Sequence, residues 1–245
     1  MRARDELTGP GPSGDRDRRA ELARNLTEVR DRIDRACRTA GRDPGEVTLV
    51  VVTKSYPASD VRILASLGVS DVGENRDQEA SAKASETADL ALNWHFVGQL
   101  QSNKCRSVAR YADVVHSVDR LAVIGPLDRA ARDAGRRLTC LLQVSLDGDP
   151  ARGGALPEEL PALADAVTTT EGLDLGGVMA VAPQASDPAQ AFARLADVAK
   201  CLRADHPEAT MVSAGMSGDL EEAVAAGATH VRIGTAVLGV RPRLR

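Results

Sequence analysis

The amino-acid sequence predicts a (β/α)8 TIM barrel that forms a single domain, and three observations support this fold class. The chain has 245 residues, close to the roughly 250 that such a barrel uses. Short β-branched runs alternate with amphipathic segments along the chain, as expected for parallel strands joined by helices. Aromatic residues make up only 2% of the chain, so aliphatic side chains must fill the core, as they do in these barrels.

Eight segments have the composition of strands. The first, residues 47–52, is apolar apart from Thr48, which is typical of a strand that is covered on both faces. Seven similar runs follow, at residues 69–72, 94–97, 114–118, 138–146, 175–181, 210–213 and 230–233.

Helices are predicted after seven of the strands, at residues 59–67, 76–90, 101–110, 119–133, 157–170, 188–204 and 218–226. The candidate caps are Ser59, Asp119, Ser186 or Asp187, and Ser217 at amino ends, and Gly135 and Gly227 at carboxyl ends. An extra amphipathic helix at residues 20–40 precedes the first strand. Residues 235–245 are too few for a complete last helix, so this extra helix is expected to cover that part of the wall. The predicted organisation is a disordered leader at residues 1–19 and one domain at residues 20–245.

Charge and composition exclude several classes of function. The 31 Lys and Arg against 35 Asp and Glu give a net charge of -4, which is unsuited to a phosphate backbone, and few rings are present for base stacking. No run approaches the ~18 apolar residues of a membrane helix, and no signal-peptide core is visible. The four cysteines lie far apart, so neither a metal site nor a disulfide framework is predicted. We expect a cytoplasmic monomer that binds neither nucleic acid nor membrane.

An open doubly wound sheet is the alternative fold with the same alternation. It favours a glycine-rich turn after the first strand. Here that strand ends in Val-Thr-Lys-Ser-Tyr-Pro, and the sequence contains neither G-x-G-x-x-G nor G-x-x-x-x-G-K-[ST]. These absences favour the closed barrel and argue against dinucleotide and P-loop chemistry.

Lys54 stands at the carboxyl end of the first strand, where barrel enzymes place their functional residues. A lysine at the mouth of an apolar barrel is expected to be partly desolvated, which lowers its pKa and makes the neutral amine available as a nucleophile. Such an amine can condense with an aldehyde to form a Schiff base. A plain surface lysine is the alternative interpretation of this residue taken alone.

Small residues follow the seventh and eighth strands, where barrels of this type bind phosphate. We expect backbone N–H groups and hydroxyls there to hold a phosphate, since glycine allows the backbone a close approach. A lysine for an aldehyde and a cradle for a phosphate together point to pyridoxal 5′-phosphate (PLP). Arg232 is the candidate to face the pyridine nitrogen, because a guanidinium donates hydrogen bonds and keeps its proton. The residues assigned to the phosphate are Ser213, Gly215, Ser217, Gly234 and Thr235.

Five motifs in one order resemble the pyridoxal phosphate homeostasis proteins, which are related to the barrel domain of alanine racemase. The resemblance covers roughly residues 20–241, and several motifs in order make it specific. The motifs are Val51-Val52-Thr53-Lys54-Ser55, Gly73-Glu74-Asn75-Arg76, residues 94–104, Ser213-Ala214-Gly215-Met216-Ser217 and Val231-Arg232-Ile233-Gly234-Thr235.

The resemblance implies PLP on Lys54, phosphate contacts from residues 213–217 and 234–235, and Arg232 near the pyridine nitrogen. It also implies that Asn75 and residues 94–98 line the pocket, while Met216 packs against the cofactor or simply fills space. The chain departs from the family at Arg152, which stands where a second lysine is usual, so a role of that lysine in moving the cofactor is in doubt here.

Two classes of function remain after these assignments. A racemase needs a second acid or base opposite the lysine, and related racemases take a tyrosine from a separate domain that this sequence does not contain. A non-catalytic carrier that stores or delivers PLP to apo-enzymes needs only the lysine, the cradle and an open mouth, and this is the function that we predict. A Schiff-base aldolase with Glu74 as its acid or base is a more distant alternative.

Overall fold

A computed structural model describes residues 12–149, 152–184 and 186–239, and these residues contain a closed barrel of eight parallel strands in sequential order. The last strand pairs with the first, with Thr48 beside His230 and Val51 beside Ile233. This closure confirms the predicted (β/α)8 fold. The strands are β1 Thr48–Val52, β2 Asp71–Glu74, β3 Asn93–Phe96, β4 Val114–Val118, β5 Leu138–Gln143, β6 Leu173–Met179, β7 Met211–Ser213 and β8 His230–Ile233.

Helices surround this barrel. Asp187 caps its helix by accepting a hydrogen bond from the Ala189 N–H, whereas the other proposed N-cap residues do not occupy that position. Gly135 and Gly227 follow their helices with positive φ, as predicted. The helices are α1 Pro12–Thr39, α2 Ala58–Ser66, α3 Asp77–Glu86, α4 Cys105–Tyr111, α5 Leu121–Asp133, α6 Leu160–Thr168, α7 Pro188–Asp205, α8 Leu220–Ala225 and α9 Thr235–Leu238.

The first helix begins at Pro12, eight residues before the predicted start, so residues 12–19 are helical and not a disordered leader. Arg18 explains part of this extension, because it forms an ion pair with Asp60 at 2.7 Å and donates to the Leu238 carbonyl oxygen. Its guanidinium also lies 5.4 Å from the centre of the Tyr56 ring. The rest of the predicted leader, residues 1–11, lies outside the described residues.

The second strand is shifted by two residues from its predicted position. Gly68 adopts φ of +80° after α2, and the Val69 N–H bonds back to the Leu64 carbonyl oxygen. Val69 therefore belongs to the helix ending, and β2 continues through the fully buried Glu74. An acidic residue inside a strand interrupts the apolar pattern, which explains the error.

The short last helix leaves part of the barrel wall to α1, as predicted. Leu22, Leu26, Val29 and Ile33 of α1 are buried in one cluster with residues 231 and 233 of β8. Burying a side chain of this kind contributes about 1.5–3 kcal/mol. The long amino-terminal helix thus closes the layer around β8 and β1.

The interior of the barrel has an apolar and a polar half. Val114, Leu141 and Met179 form a small apolar cluster inside β4, β5 and β6. The polar half contains buried side chains of β3, β4, β7 and β8, namely His95, His116, Ser213 and Arg232. Within the described ranges, no helix has the length and hydropathy that crossing a membrane requires, and no group of His, Cys, Asp and Glu is arranged to hold a metal ion.

Candidate functional site

Lys54 lies in the turn that follows the carboxyl end of β1. A Cβ at Gly73 of β2 would meet Val50 and Val52, which places these two valines on the inner face of β1. On the neighbouring strand, Arg232 pairs with Val50. Lys54 therefore follows the strand that pairs with the strand of Arg232, four residues beyond the Val50–Arg232 pair.

The Lys54 side chain itself is exposed. This differs from the partly desolvated amine that the sequence suggested, because the lysine follows the last buried residue of the strand and opens toward the mouth. The next residue, Ser55, is the one non-glycine residue with positive φ among the described residues, at +66°. Its N–H donates to Glu79 Oε2 of α3 at 2.9 Å, so α3 helps to fix the turn that presents Lys54.

A buried ion pair supports the same turn from behind. Lys83 of α3 donates to Glu74 Oε1 at 2.5 Å and to the Thr53 carbonyl oxygen at 2.8 Å. Thr53 Oγ1 donates to the same Glu74 oxygen at 2.7 Å. Glu74 is fully buried in this network, so it does not stand free over Lys54 as the aldolase alternative requires.

The turn after β7 is tightly built around Gly215. This glycine has φ of +88°, and a Cβ on it would lie 2.6 Å from the Ala223 side chain. Asp219 accepts the Met216 N–H at 2.6 Å, and Ser217 Oγ accepts the Ala236 N–H at 3.3 Å. The second bond links the turn directly to the start of α9 after β8, so the structure brings the two predicted phosphate segments together.

Residues of β8 complete this side of the mouth. The Arg232 N–H donates to the Gly215 carbonyl oxygen at 2.9 Å, and a Cβ on Gly234 would lie 3.2 Å from the Val52 carbonyl oxygen. Thr235 and Met216 are exposed, the latter by 40%. The functional segments thus follow four consecutive strands of the barrel. The two predicted phosphate loops follow β7 and β8, Lys54 follows β1, and Asn75 follows β2.

Ser213 has partners other than the phosphate that the sequence analysis assigned to it. It is fully buried, and its hydroxyl lies 2.6 Å from Arg232 Nη1 and 3.0 Å from His116 Nδ1. The Arg232 guanidinium also donates from Nη2 to the Ala180 carbonyl oxygen at 2.9 Å. Ser213 therefore acts inside the barrel, as a link between β4 and β8.

Two residues of this interior cluster were missed by the sequence reasoning, His116 and Asp71. His95 was interpreted as a structural hydrogen-bonding residue, and it does contact His116 at 2.8 Å and Asp71 at 3.0 Å. Asp71, His95 and His116 lie on three different strands, so their spacing in the sequence does not predict the cluster. The available signal was that three of the four histidines, His95, His116 and His230, fall inside predicted strands.

Arg152 joins the loops after β5 and β6. It pairs with Asp147 at 2.7 Å and donates from Nη2 to the carbonyl oxygens of Val181 and Ala182. Through these contacts, Arg152 connects the two loops at the rim of the mouth. On the opposite rim, a Cβ on Gly98 would lie 2.0 Å from the Asn75 carbonyl oxygen, so the glycine lets β3 approach the loop that carries Asn75.

Comparison with known proteins supports one family. Residues 24–242 match the model of the alanine racemase N-terminal domain. The pyridoxal phosphate homeostasis protein of Mycobacterium tuberculosis is 45% identical over 248 residues, covering 94% of this chain and 96% of the relative. The protein of the same name from Escherichia coli is 39% identical over 227 residues, covering 90% and 97%.

Solved structures agree with this relationship. PipY of Synechococcus elongatus, determined with PLP bound, has a TM-score of 0.78 and 36% identity, covering 89% of this chain and 100% of PipY. The alanine racemase of Streptomyces coelicolor has a TM-score of 0.72 at 21% identity, covering 91% of this chain but 59% of the racemase, which shows a shared fold alone. The chain belongs to the alanine racemase N-terminal domain family and, within it, to the pyridoxal phosphate homeostasis proteins.

Proposed function

We propose that this protein binds PLP as a Schiff base on Lys54 and takes part in PLP homeostasis without catalysing a reaction of its own. The observation that carries the proposal is the placement of Lys54, Arg232 and the two glycine-containing loops on adjacent strands at one end of the barrel. When PLP binds, the Lys54 amine condenses with the aldehyde, which forms a carbon–nitrogen double bond and releases water. PipY, a relative with 36% identity, has PLP bound in its structure.

The residues present fit the other two parts of PLP. A guanidinium has five N–H donors, and the described contacts of Arg232 use two of them, toward Ser213 and Ala180. Donors therefore remain for the pyridine nitrogen. The linked turns at residues 215–217 and 234–236 allow a close approach of backbone to phosphate, although a phosphate at Met216 N–H would compete with Asp219.

The two tyrosines argue against a racemase. Tyr56 donates its hydroxyl to the Gly239 carbonyl oxygen at 2.7 Å. Tyr111 lies in α4 and packs edge-on against Trp94 in the outer layer, and burial raises the pKa of its hydroxyl. Neither tyrosine is placed to exchange a proton above Lys54, which favours a carrier over a racemase. We propose that the partners of this carrier are PLP and the apo-enzymes that need it, and that the carrier is a monomer.

Borohydride reduction of the PLP-loaded protein, followed by peptide mass mapping, tests the attachment site. The chain has four lysines, at positions 54, 83, 104 and 200, and we expect the reduced adduct on Lys54 alone. Lys54→Ala should abolish trapping, while Lys200→Ala, an exposed residue of α7, should leave it unchanged. An adduct on another lysine of the unaltered protein would refute the assignment.

Incubation with single enantiomers of amino acids tests the absence of catalysis. We expect no interconversion above that of free PLP, measured by chiral chromatography. Sustained exchange of enantiomers that Lys54→Ala abolishes would support the racemase alternative instead. As a check on the phosphate loops, Ser217→Asp is expected to weaken PLP binding through repulsion between like charges.

A further inference from the structure

A chain of hydrogen bonds crosses the polar half of the barrel. It consists of Asp71, His95, His116, Ser213 and Arg232, which we call the barrel relay. Its four side-chain contacts are 3.0 Å, 2.8 Å, 3.0 Å and 2.6 Å in that order. The two rings and the hydroxyl are almost fully buried, so solvent does not compete for the bonds among them, whereas Asp71 at the end of the relay is partly exposed.

The donors and acceptors at the two ends give the relay a direction. The guanidinium can only donate, and the ionised carboxylate can only accept. If Ser213 accepts from Arg232 and donates to His116 Nδ1, then His116 carries its proton on Nε2 and donates to His95 Nδ1. His95 then also carries its proton on Nε2 and donates to Asp71. In this arrangement each group donates its hydrogen bond to the next one in the direction from Arg232 to Asp71, and both histidines are neutral.

The charges around the relay favour the same arrangement. Burial, with His95 and Arg232 acting in the same direction, holds the pKa of His116 well below its usual range. Burial opposes ionisation of Asp71, but hydrogen bonds from His95, Ser70 and Asn93 outweigh it and lower its pKa to about 2. The other titratable groups that face the relay are His230, with its ring 6.2 Å from that of His95, and Asp219, which attracts the charge of Arg232.

The relay runs from a cleft at the amino-terminal end of the barrel to the buried guanidinium of Arg232. Asp71 begins β2 and lines a cleft of about 300 Å³ together with Thr48, Ser70 and Arg30. Arg232 is buried inside the barrel, and its guanidinium reaches the Ala180 carbonyl oxygen just beyond the carboxyl end of β6. A change of charge at the amino-terminal cleft can therefore alter the hydrogen bonding of Arg232 without any contact with the mouth.

We propose that Asp71, His95 and His116 are positioning residues, which orient the Ser213 hydroxyl and through it hold the Arg232 guanidinium toward the PLP ring. This proposal rests on the proposed function, because it assigns Arg232 to the pyridine nitrogen. When PLP is bound, Arg232 would donate a hydrogen bond to the ring nitrogen, and the orientation of its guanidinium would be set through Ser213 by Asp71, His95 and His116.

Imidazole nitrogen NMR of the PLP-free protein at pH 7 tests the direction of the relay. The chain has four histidines, and single His→Gln variants assign their signals. We expect His95 and His116 to be neutral, each with its proton on Nε2. A proton on Nδ1 of either residue, or a doubly protonated ring, would overturn the proposed direction. This measurement needs no cofactor, so its outcome is independent of PLP binding.

Variants of His116 test the positioning of Arg232. His116→Phe removes both ring nitrogens and is expected to weaken PLP binding ~10-fold, as for loss of a hydrogen bond to a charged group, and to shift the absorption maximum of the bound cofactor. His116→Gln retains one acceptor and one donor and should restore most of both properties. His206→Gln, at the end of α7 and outside the relay, is the matched control and should have neither effect.

Asp71→Asn provides a second variant that preserves volume, should His116→Phe fail to fold. We expect it to change the pH dependence of the absorption spectrum of bound PLP, although Asp71 lies at the opposite end of the barrel from Lys54. If the unaltered protein binds PLP and Asp71→Asn leaves spectrum, pH profile and affinity unchanged, the positioning role is refuted while the proposed function stands. If the unaltered protein does not bind PLP, the proposed function fails.

Discussion

The geometry of the turn after β7 predicts how replacing Gly215 changes the stability of the protein. Replacing Gly215 with alanine places a Cβ 2.6 Å from the Ala223 side chain and 3.3 Å from Leu220 Cα, at φ of +88°. A left-handed conformation costs an L-residue about 1–2 kcal/mol. Overpacking against a neighbour that belongs to a helix adds about 1–3 kcal/mol. We therefore expect Gly215→Ala to lower the free energy of unfolding by about 2–5 kcal/mol.

Gly218, three residues later, provides the matched control. A Cβ there meets nothing within 4 Å, and its φ is not in the left-handed region. Gly218→Ala should therefore change the stability by no more than about 0.5 kcal/mol. Urea denaturation followed by circular dichroism measures both variants under the same conditions. If Gly215→Ala is as stable as Gly218→Ala, the structural reasoning about this turn is refuted.

The same pair of variants connects the turn to binding. Because the Gly215 carbonyl oxygen accepts the Arg232 N–H, displacement of residue 215 also displaces the strand that carries Arg232. PLP titration should therefore show a lower affinity for Gly215→Ala than for Gly218→Ala. Equal affinities would indicate that the cofactor does not depend on this connection.

Two further predictions concern buried charge. Lys83→Met should destabilise the protein by about 3–5 kcal/mol in urea denaturation, because it leaves the buried Glu74 without its cation. Adding Glu74→Gln should recover part of this loss. A double variant that is no more stable than Lys83→Met alone would contradict the pairing. Burial, assisted by His95, lowers the pKa of His230 to about 4, so below pH 6.5 the unfolded chain takes up the proton first. The stability should then fall between pH 6.5 and pH 4 by up to about 3 kcal/mol, and His230→Gln should flatten this dependence in denaturation curves recorded across that range.

The fold was largely predictable because the burial pattern of a parallel barrel is local. The strand at residues 114–118 has five buried residues in a row, and its limits coincide with the prediction. Errors occurred where a tertiary contact overrides local pattern. The amino-terminal helix extends to Pro12, where Arg18 pairs with Asp60, a residue 42 positions away. Strand β2 extends through Glu74 because Lys83 of the next helix neutralises it.

The candidate site was predictable only in part, for a related reason. Lys54, Gly215 and Gly234 stand at strand ends, and a strand end can be read from the sequence. The partners of Arg232 cannot be read in this way, since His116 and Ser213 are 97 residues apart along the chain. They meet only when the barrel closes and the register of all the strands between them is fixed. The same closure gave Ser213 an interior role that its place in a loop motif did not indicate.

The polar half of the barrel is not explained by stability alone. Aliphatic side chains fill the interior of such barrels well, as Val114, Leu141 and Met179 do in the other half. Replacing buried, paired charges by apolar residues of similar volume is often neutral or stabilising. A buried arginine with two buried histidines behind it therefore gives the fold no evident advantage over an aliphatic core. The proposed role of Arg232 accounts for this polar half, since a guanidinium held in one orientation can donate to a ring nitrogen and an aliphatic side chain cannot.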